Sequence, residues 1–225
     1  MYVVMPMPAP VETEVLETLR ETDTSTIGHI LDAGFMDPGI GAKLPGKSIV
    51  GTAVTVRVTV PDSVIGHYAL GQIRPNDVLI IDRGQDQRTA CWGGTTSTAA
   101  AKAGLTGLII DGACCDISRA NAVGLPIWCR HITPVTTKYR DLGGELNVPI
   151  SCGGVAVSPG DVVVADENGV LVIPRAEARQ VAERVKEFEK KKRLFYKAIT
   201  ESASICYPDL TGASELVRKS RTHHT

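Results

Sequence analysis

A mixed α/β fold is predicted by three features of the chain. Helical and apolar β-rich segments alternate up to about residue 130, short β segments cluster between about 147 and 173, and a long charged amphipathic helix follows at about 175–200. With 225 residues, 43% of them hydrophobic, the chain suits one globular domain over 1–200 with a sizeable core, and a polar tail over 201–225.

Taken in order, Pro6, Pro8 and Pro10 favour an extended lead, and Val11, Val15, Leu16 and Leu19 carry a helical period. Thr22-Asp23 offers an N-cap for a second short helix bearing Ile27, Ile30 and Leu31, with His29 as a half-exposed surface residue. Phe35–Lys47, rich in Gly and Pro, reads as a loop. Ser48–Val60 is a β-branched run whose alternating Val, Thr and Arg predict one long strand with one face less buried. Ser63–Leu70 is helical in pattern, and the turn Arg74–Asp77 leads into an apolar strand, Val78–Ile81. Asp82, Arg83, Asp86 and Arg88 then form a polar loop that opens onto Gly93-Gly94.

The stretch Cys91–Asp116 is the centre of the chain: a Gly-Gly turn, an Ala-rich helix from about Thr95, a turn at Gly104–Gly107, a strand Leu108–Asp111 and a loop ending in Asp116. Another short helix and a strand, Ile127–Arg130, precede a polar connection at Thr133-Pro134. Three β segments follow, near Asn147–Ile150, Asp161–Ala165 and Gly169–Ile173, and Asn168-Gly169 is a tight hairpin turn between the last two. Arg175–Thr200 closes the pattern with an apolar stripe through Val181, Val185, Phe188 and Leu194. His223-His224 lies in the tail and reads as a frayed end.

A formal charge of −1 gives no basic footprint, so no nucleic-acid partner is expected. No apolar run approaches the roughly eighteen residues of a membrane span and no signal-peptide pattern opens the chain, so a cytoplasmic protein without a membrane partner is expected. The six cysteines show no CxxC or zinc spacing and read as mostly reduced, buried small hydrophobes, with the adjacent pair Cys114-Cys115 falling in the candidate site loop.

Both ends of the central stretch direct chemistry the same way. Backbone amides of Gly93, Gly94, Thr95 and Thr96 at a helix start attract an anion, and Asp116 attracts a cation. A small anionic substrate beside a metal is the expected ligand pair.

The stretch resembles the RraA-like family, which contains 4-hydroxy-4-methyl-2-oxoglutarate aldolase and the regulator of ribonuclease E activity A. Enzymatic members carry an acid, twenty residues, then Arg-Asp; the corresponding positions here are Gly94, Thr95–Cys114 and Cys115-Asp116. Gly51–Val56, Arg74–Asp82, Asp111–Asp116, Gly124–Pro134 and Asn147–Pro174 carry the rest of the likeness. The resemblance implies a layered α/β/β/α domain related to the phosphohistidine domain of swivelling enzymes, and a homo-oligomer, trimer or hexamer. It further implies a divalent metal, magnesium, held at Asp116 mostly through waters, and a small carboxylate substrate on the Gly93–Thr96 amides.

Two departures stand inside the motif. Gly94 replaces the acid that supports the metal waters, and Cys115 replaces the arginine that grips substrate, a loss of a charge-assisted bidentate contact. Arg119, about one helical turn from Cys115, is a candidate replacement, and Arg88 is another; His67 is a candidate base if it faces the pocket, and Cys115 a candidate nucleophile or soft-metal ligand if its thiolate is stabilised. Catalytic roles are therefore expected at Asp116, Cys115 and Arg119. The implied function is a divergent metal-dependent lyase, aldolase or decarboxylase, on a small 2-oxo acid. The alternatives are a non-catalytic regulator-type interaction protein, or hydration or isomerisation of a small carboxylate in the same pocket. Methyltransferase activity finds no cofactor loop in this sequence.

Overall fold

The computed structural model describes residues 1–201 and 206–220, so the His223-His224 pair lies outside the described residues. The extended lead contains β1 (Tyr2–Val4), and the first apolar period forms α1 (Thr13–Arg20). Asp23 caps α2 (Thr24–Gly28), its carboxylate accepting from the Thr26 amide at 2.6 Å, as the Thr-Asp signal predicts. The expected loop holds only β2 (Gly41–Ala42). Next come β3 (Ile49–Arg57), α3 (Val64–Leu70) and β4 (Asp77–Asp82), then α4 (Gly94–Ala103), which ends at Gly104 in the left-handed conformation.

β5 (Gly107–Cys114) runs three residues beyond the expected end at Asp111, so Gly112–Cys114 belong to a strand and not to a loop. α5 (Ile117–Ala122), β6 (Ile127–Ile132), β7 (Gly144–Leu146), β8 (Ile150–Cys152) and β9 (Val155–Val157) follow. The Asn-Gly turn joins β10 (Val162–Asp166) to β11 (Gly169–Ile173) as an antiparallel hairpin, and α6 (Ala178–Glu201) succeeds it.

Four strands, β3, β4, β5 and β6, lie parallel and adjacent, with α3, α4 and α5 in the crossovers that parallel pairing demands. The other edge of β3 is shared: β10 pairs antiparallel along Ile49–Thr52 and β7 along Val56–Arg57. β1 extends the sheet beyond β7, and β2 closes it beyond β6.

Side-chain alternation builds the layers. Val54, Leu79, Leu108 and Ile127 pack on Ile65, Ala100 and Ala120 of the three crossover helices. On the opposite face Ala53, Ile80, Ile109 and Trp128 meet Val163, Ala165, Val170 and Val172 of the hairpin. The hairpin's outer face, Val162, Val164, Leu171 and Ile173, packs on α1, Ile27 of α2 and the start of α6. Helix, sheet, sheet and helix therefore succeed one another, the layered architecture that the resemblance implies.

β3 departs from expectation in one respect. It has no less-buried face, because both of its sides are covered and only Arg57 is partly exposed. The chain also forms two compact units, Met1–Val185 and Lys186–Thr225, the boundary falling inside α6. In the second unit the expected polar tail contains α7 (Tyr207–Leu210) and α8 (Ala213–Ser220), and Phe195 meets Tyr207 edge to face at 6.1 Å. Of the α6 stripe, Val181 and Val185 are buried in the first unit, whereas Leu194 in the second is exposed. Among the described residues no helix is long and apolar enough to cross a membrane.

Candidate active site

The Gly-Gly turn is delivered by a buried arginine. Arg83 follows β4, is fully buried, and donates through Nη1 to the Val58 and Val60 carbonyls and through Nη2 to Asp86, at 2.5 Å, and Thr89, at 3.0 Å. Asp86 in turn accepts from the Arg88 and Thr89 amides, which folds the loop onto itself. The chain then docks at Ala90, whose N–H donates to Val135 O at 2.8 Å, and at Cys91, whose N–H donates to Ala113 O.

At the start of α4 the Gly93 N–H turns inward to Thr96 Oγ1 at 2.9 Å, and the Thr96 hydroxyl donates to Gly93 O. The first intrahelical bond runs from Ser97 N to Gly93 O. The amides of Gly94, Thr95 and Thr96 thus precede the helix ladder and form the anion-attracting end. Gly93 is engaged internally, and its contribution is steric: a Cβ there would meet Cys115 Sγ at 2.8 Å.

β5 brings the other half. The Cys115 N–H donates to Trp92 O at 2.9 Å, which places the Cys115 side chain over Gly93. Asp116 adopts φ 54°, a left-handed conformation that Asp tolerates, and turns the chain into α5. Its carboxylate lies beside Gly94, so that a Cβ at 94 would collide with Asp116 Oδ2, and would meet Arg119 Cβ and Cδ at 2.7 Å. Arg119 Nε is 3.9 Å from Asp116 Oδ2, but both side chains are more than half exposed, so the pair contributes little. Gly94→Ala is therefore expected to cost about 1–3 kcal/mol although alanine favours helices, because α5 must shift. A urea midpoint equal to or above wild type would reject this contact.

A cavity of about 240 Å³ opens at this junction. Gly93, Thr95, Thr96 and Cys115 bound one side, and His67 and Tyr139 another. The structure thus brings four of the expected residues together with His67, while Gly94, Asp116 and Arg119 adjoin one another on the flank, outside the lining. Arg88 and His29 are exposed, and neither lines it.

The thiols are poorly suited to nucleophilic work. Burial pushes Cys91 up to about 12, and burial followed by the Asp116 charge raises Cys115, the opposite of thiolate stabilisation. Cys114, expected in the site loop but placed at the end of β5, contacts Cys129 on the neighbouring strand, Sγ to Sγ 3.2 Å.

Two contributors escaped the sequence. Tyr139 and Lys138 line the cavity from the loop after β6, which reads as an ordinary polar connection. Their placement depends on Asp62, whose carboxylate accepts from Val64 N at 3.0 Å and Leu142 N at 2.6 Å and pins the loop to the start of α3.

Among the described residues no group of three His, Cys, Asp or Glu side chains could hold a metal ion. Asp116 supplies one accessible carboxylate, which suits a magnesium ion that keeps most of its waters and takes one or two protein carboxylates, but not a multi-ligand site.

The RraA-like family model, described as Aldolase/RraA, matches residues 24–172. The chain belongs to that family. A Halalkalibacterium halodurans protein named "Putative 4-hydroxy-4-methyl-2-oxoglutarate aldolase" is 36% identical over 177 residues, covering 78% of this chain and 84% of that one. Streptomyces coelicolor RraAS2, described as an unusual member of the RNase ES inhibitor RraA protein family, superposes with a TM-score of 0.72 at 26% identity over 82% of this chain and 97% of its own. A Pseudomonas syringae pv. tomato protein of uncharacterized function superposes with a TM-score of 0.74, also at 26% identity, over 88% of this chain and 97% of its own. The family thus spans proteins named for carbon–carbon cleavage and for ribonuclease inhibition, and the site residues have to decide between them.

Proposed function

We propose that this RraA-like protein is a metal-dependent carbon–carbon lyase acting on a small 2-oxo acid. The observation that carries the reading is the convergence, at one junction, of the α4 amides, a small cavity and the Asp116 carboxylate. At about 240 Å³ the cavity lies below the roughly 300 Å³ at which pockets for drug-sized ligands begin, which fits a small organic acid.

The substrate carboxylate accepts from the Gly94, Thr95 and Thr96 amides, where the helix dipole favours negative charge. Held there, the acid presents its keto group toward the flank formed by Asp116, and the enolate charge that develops on cleavage stays near the same donors. Asp116 would hold magnesium, which when bound supplies Lewis-acid polarisation of the keto oxygen. Arg119, beside Asp116 at the start of α5, would approach the substrate oxygens in place of the missing arginine at 115.

Pyruvate release from 4-hydroxy-4-methyl-2-oxoglutarate and from oxaloacetate, with and without magnesium, tests this. Metal-dependent turnover is expected, falling on the order of 100-fold in Asp116→Ala and by a smaller factor in Arg119→Ala. No turnover above the metal-only control would end the lyase reading. The absence of an acid at 94 and of arginine at 115 would then favour a regulator-type interaction protein or a different reaction on a small carboxylate in the same pocket.

A further inference from the structure

We propose that His67 and Tyr139 form the proton-transfer pair of this cavity. The proposal rests on the lyase reading, of which aldol cleavage is the case worked through below.

The geometry is built from both sides. His67 sits on α3, and its Nδ1 is hydrogen-bonded to the Tyr139 hydroxyl, the rings meeting edge to face at 5.0 Å. Tyr139 is held in place by its loop: Thr137 N donates to Ala90 O at 2.9 Å, Ser63 N donates to Lys138 O at 3.2 Å, and Asp62 takes the Leu142 amide. One end of the loop is therefore fixed to the strand-like segment before the Gly-Gly turn, and the other to the start of α3. Both rings line the cavity that Thr95 and Thr96 bound.

His67 has suitable chemistry. The other titratable groups on the cavity wall are Lys138 and the thiols of Cys91 and Cys115, and burial keeps the Cys91 thiol protonated. Burial lowers His67, so its imidazole is neutral and able to accept a proton.

In the cleavage, the substrate hydroxyl gives its proton to the pair as the hydroxyl oxygen forms a carbonyl. The bond between that carbon and its neighbour breaks, and its electron pair enters the enolate of the released 2-oxo acid. The pair then returns one proton to the enolate carbon, so that protons and electrons balance within the reaction and no co-reactant is consumed.

The return step can be read by itself. Magnesium-loaded protein is incubated with pyruvate in D2O, and loss of the methyl proton signal is followed by NMR for wild type, His67→Gln and Tyr139→Phe, with thermal melts to confirm folding. Wild type is expected to catalyse exchange, His67→Gln to lose on the order of 100-fold and Tyr139→Phe a smaller factor. The acid limb of the wild-type rate profile, with its midpoint below 6.5, is expected to vanish in His67→Gln. A merely structural role would not move that limb. Exchange absent from wild type, or unchanged in both variants, overturns the pair. Cleavage of 4-hydroxy-4-methyl-2-oxoglutarate separates the two ideas: cleavage with unchanged variants rejects the pair and leaves the lyase, while exchange lost in the variants without any cleavage keeps the pair and rejects the lyase.

Discussion

Arg83→Met is expected to destabilise the protein by about 3–5 kcal/mol and to abolish activity at temperatures where the remaining fold survives. Arg83 is fully buried, and its fork satisfies the Val58 and Val60 carbonyls, Asp86 and Thr89 together. Methionine replaces the stem and none of the fork, leaving two carbonyls and a carboxylate without a cation. The neighbouring strand is shaped for this side chain, since a Cβ at Gly112 would meet Arg83 Cγ at 2.6 Å. Lysine should rescue only part of the loss, because a point charge cannot face both carbonyls and Asp86 at once. Urea denaturation reads the result, and a change under about 0.5 kcal/mol would show that the loop is held by other contacts. The loop matters for function because it delivers Ala90–Gly93 to the cavity, so the loss of activity should exceed that predicted from the unfolded fraction.

Arg83 also marks where the sequence is opaque. In Asp82–Arg88 it stands among polar neighbours and looks solvated, and nothing local reveals that β5 supplies a glycine to receive it. The same cause hides the covered face of β3. Thr55 alternates with Val54 and Val56 as an exposed residue would, yet its Oγ1 donates to Val148 O at 2.7 Å, and on the opposite face Thr52 Oγ1 accepts from Val11 N at 3.0 Å. Both threonines are buried and hydrogen-bonded to segments distant in the chain. Where the signal is local, the sequence speaks plainly: the Asp23 cap, the Asn168-Gly169 hairpin and the start of α4 all fall within a residue or two of expectation. The site divides along the same line. Gly93–Thr96 is a local motif, whereas the contact of His67 with Tyr139 spans 72 positions and depends on Asp62 and Ala90, each of which reads alone as an unremarkable residue.

Asp111 carries the last prediction, because in the sequence it belongs to the conspicuous run Asp111–Asp116 and in the structure it does a different job from Asp116. Its Oδ1 accepts from Arg130 Nε at 2.5 Å and its Oδ2 from the Gly153 amide at 2.7 Å, while Arg130 Nη1 reaches Asp37 at 3.0 Å. One carboxylate thus joins β5 to β6 and to the turn between β8 and β9, on the face of the sheet away from α4. Asp111→Ala is expected to cost about 2–4 kcal/mol, since both side chains of the pair are largely but not wholly removed from water. Asp111→Asn keeps an acceptor for Gly153 and should cost about half as much. A double-mutant cycle with Arg130→Ala should show strong coupling, because the two groups share one network. At a temperature well below either melt, Asp111→Asn should leave KM in the proposed lyase reaction unchanged, whereas a tenfold rise in KM without a fall in stability would place Asp111 in the binding site itself.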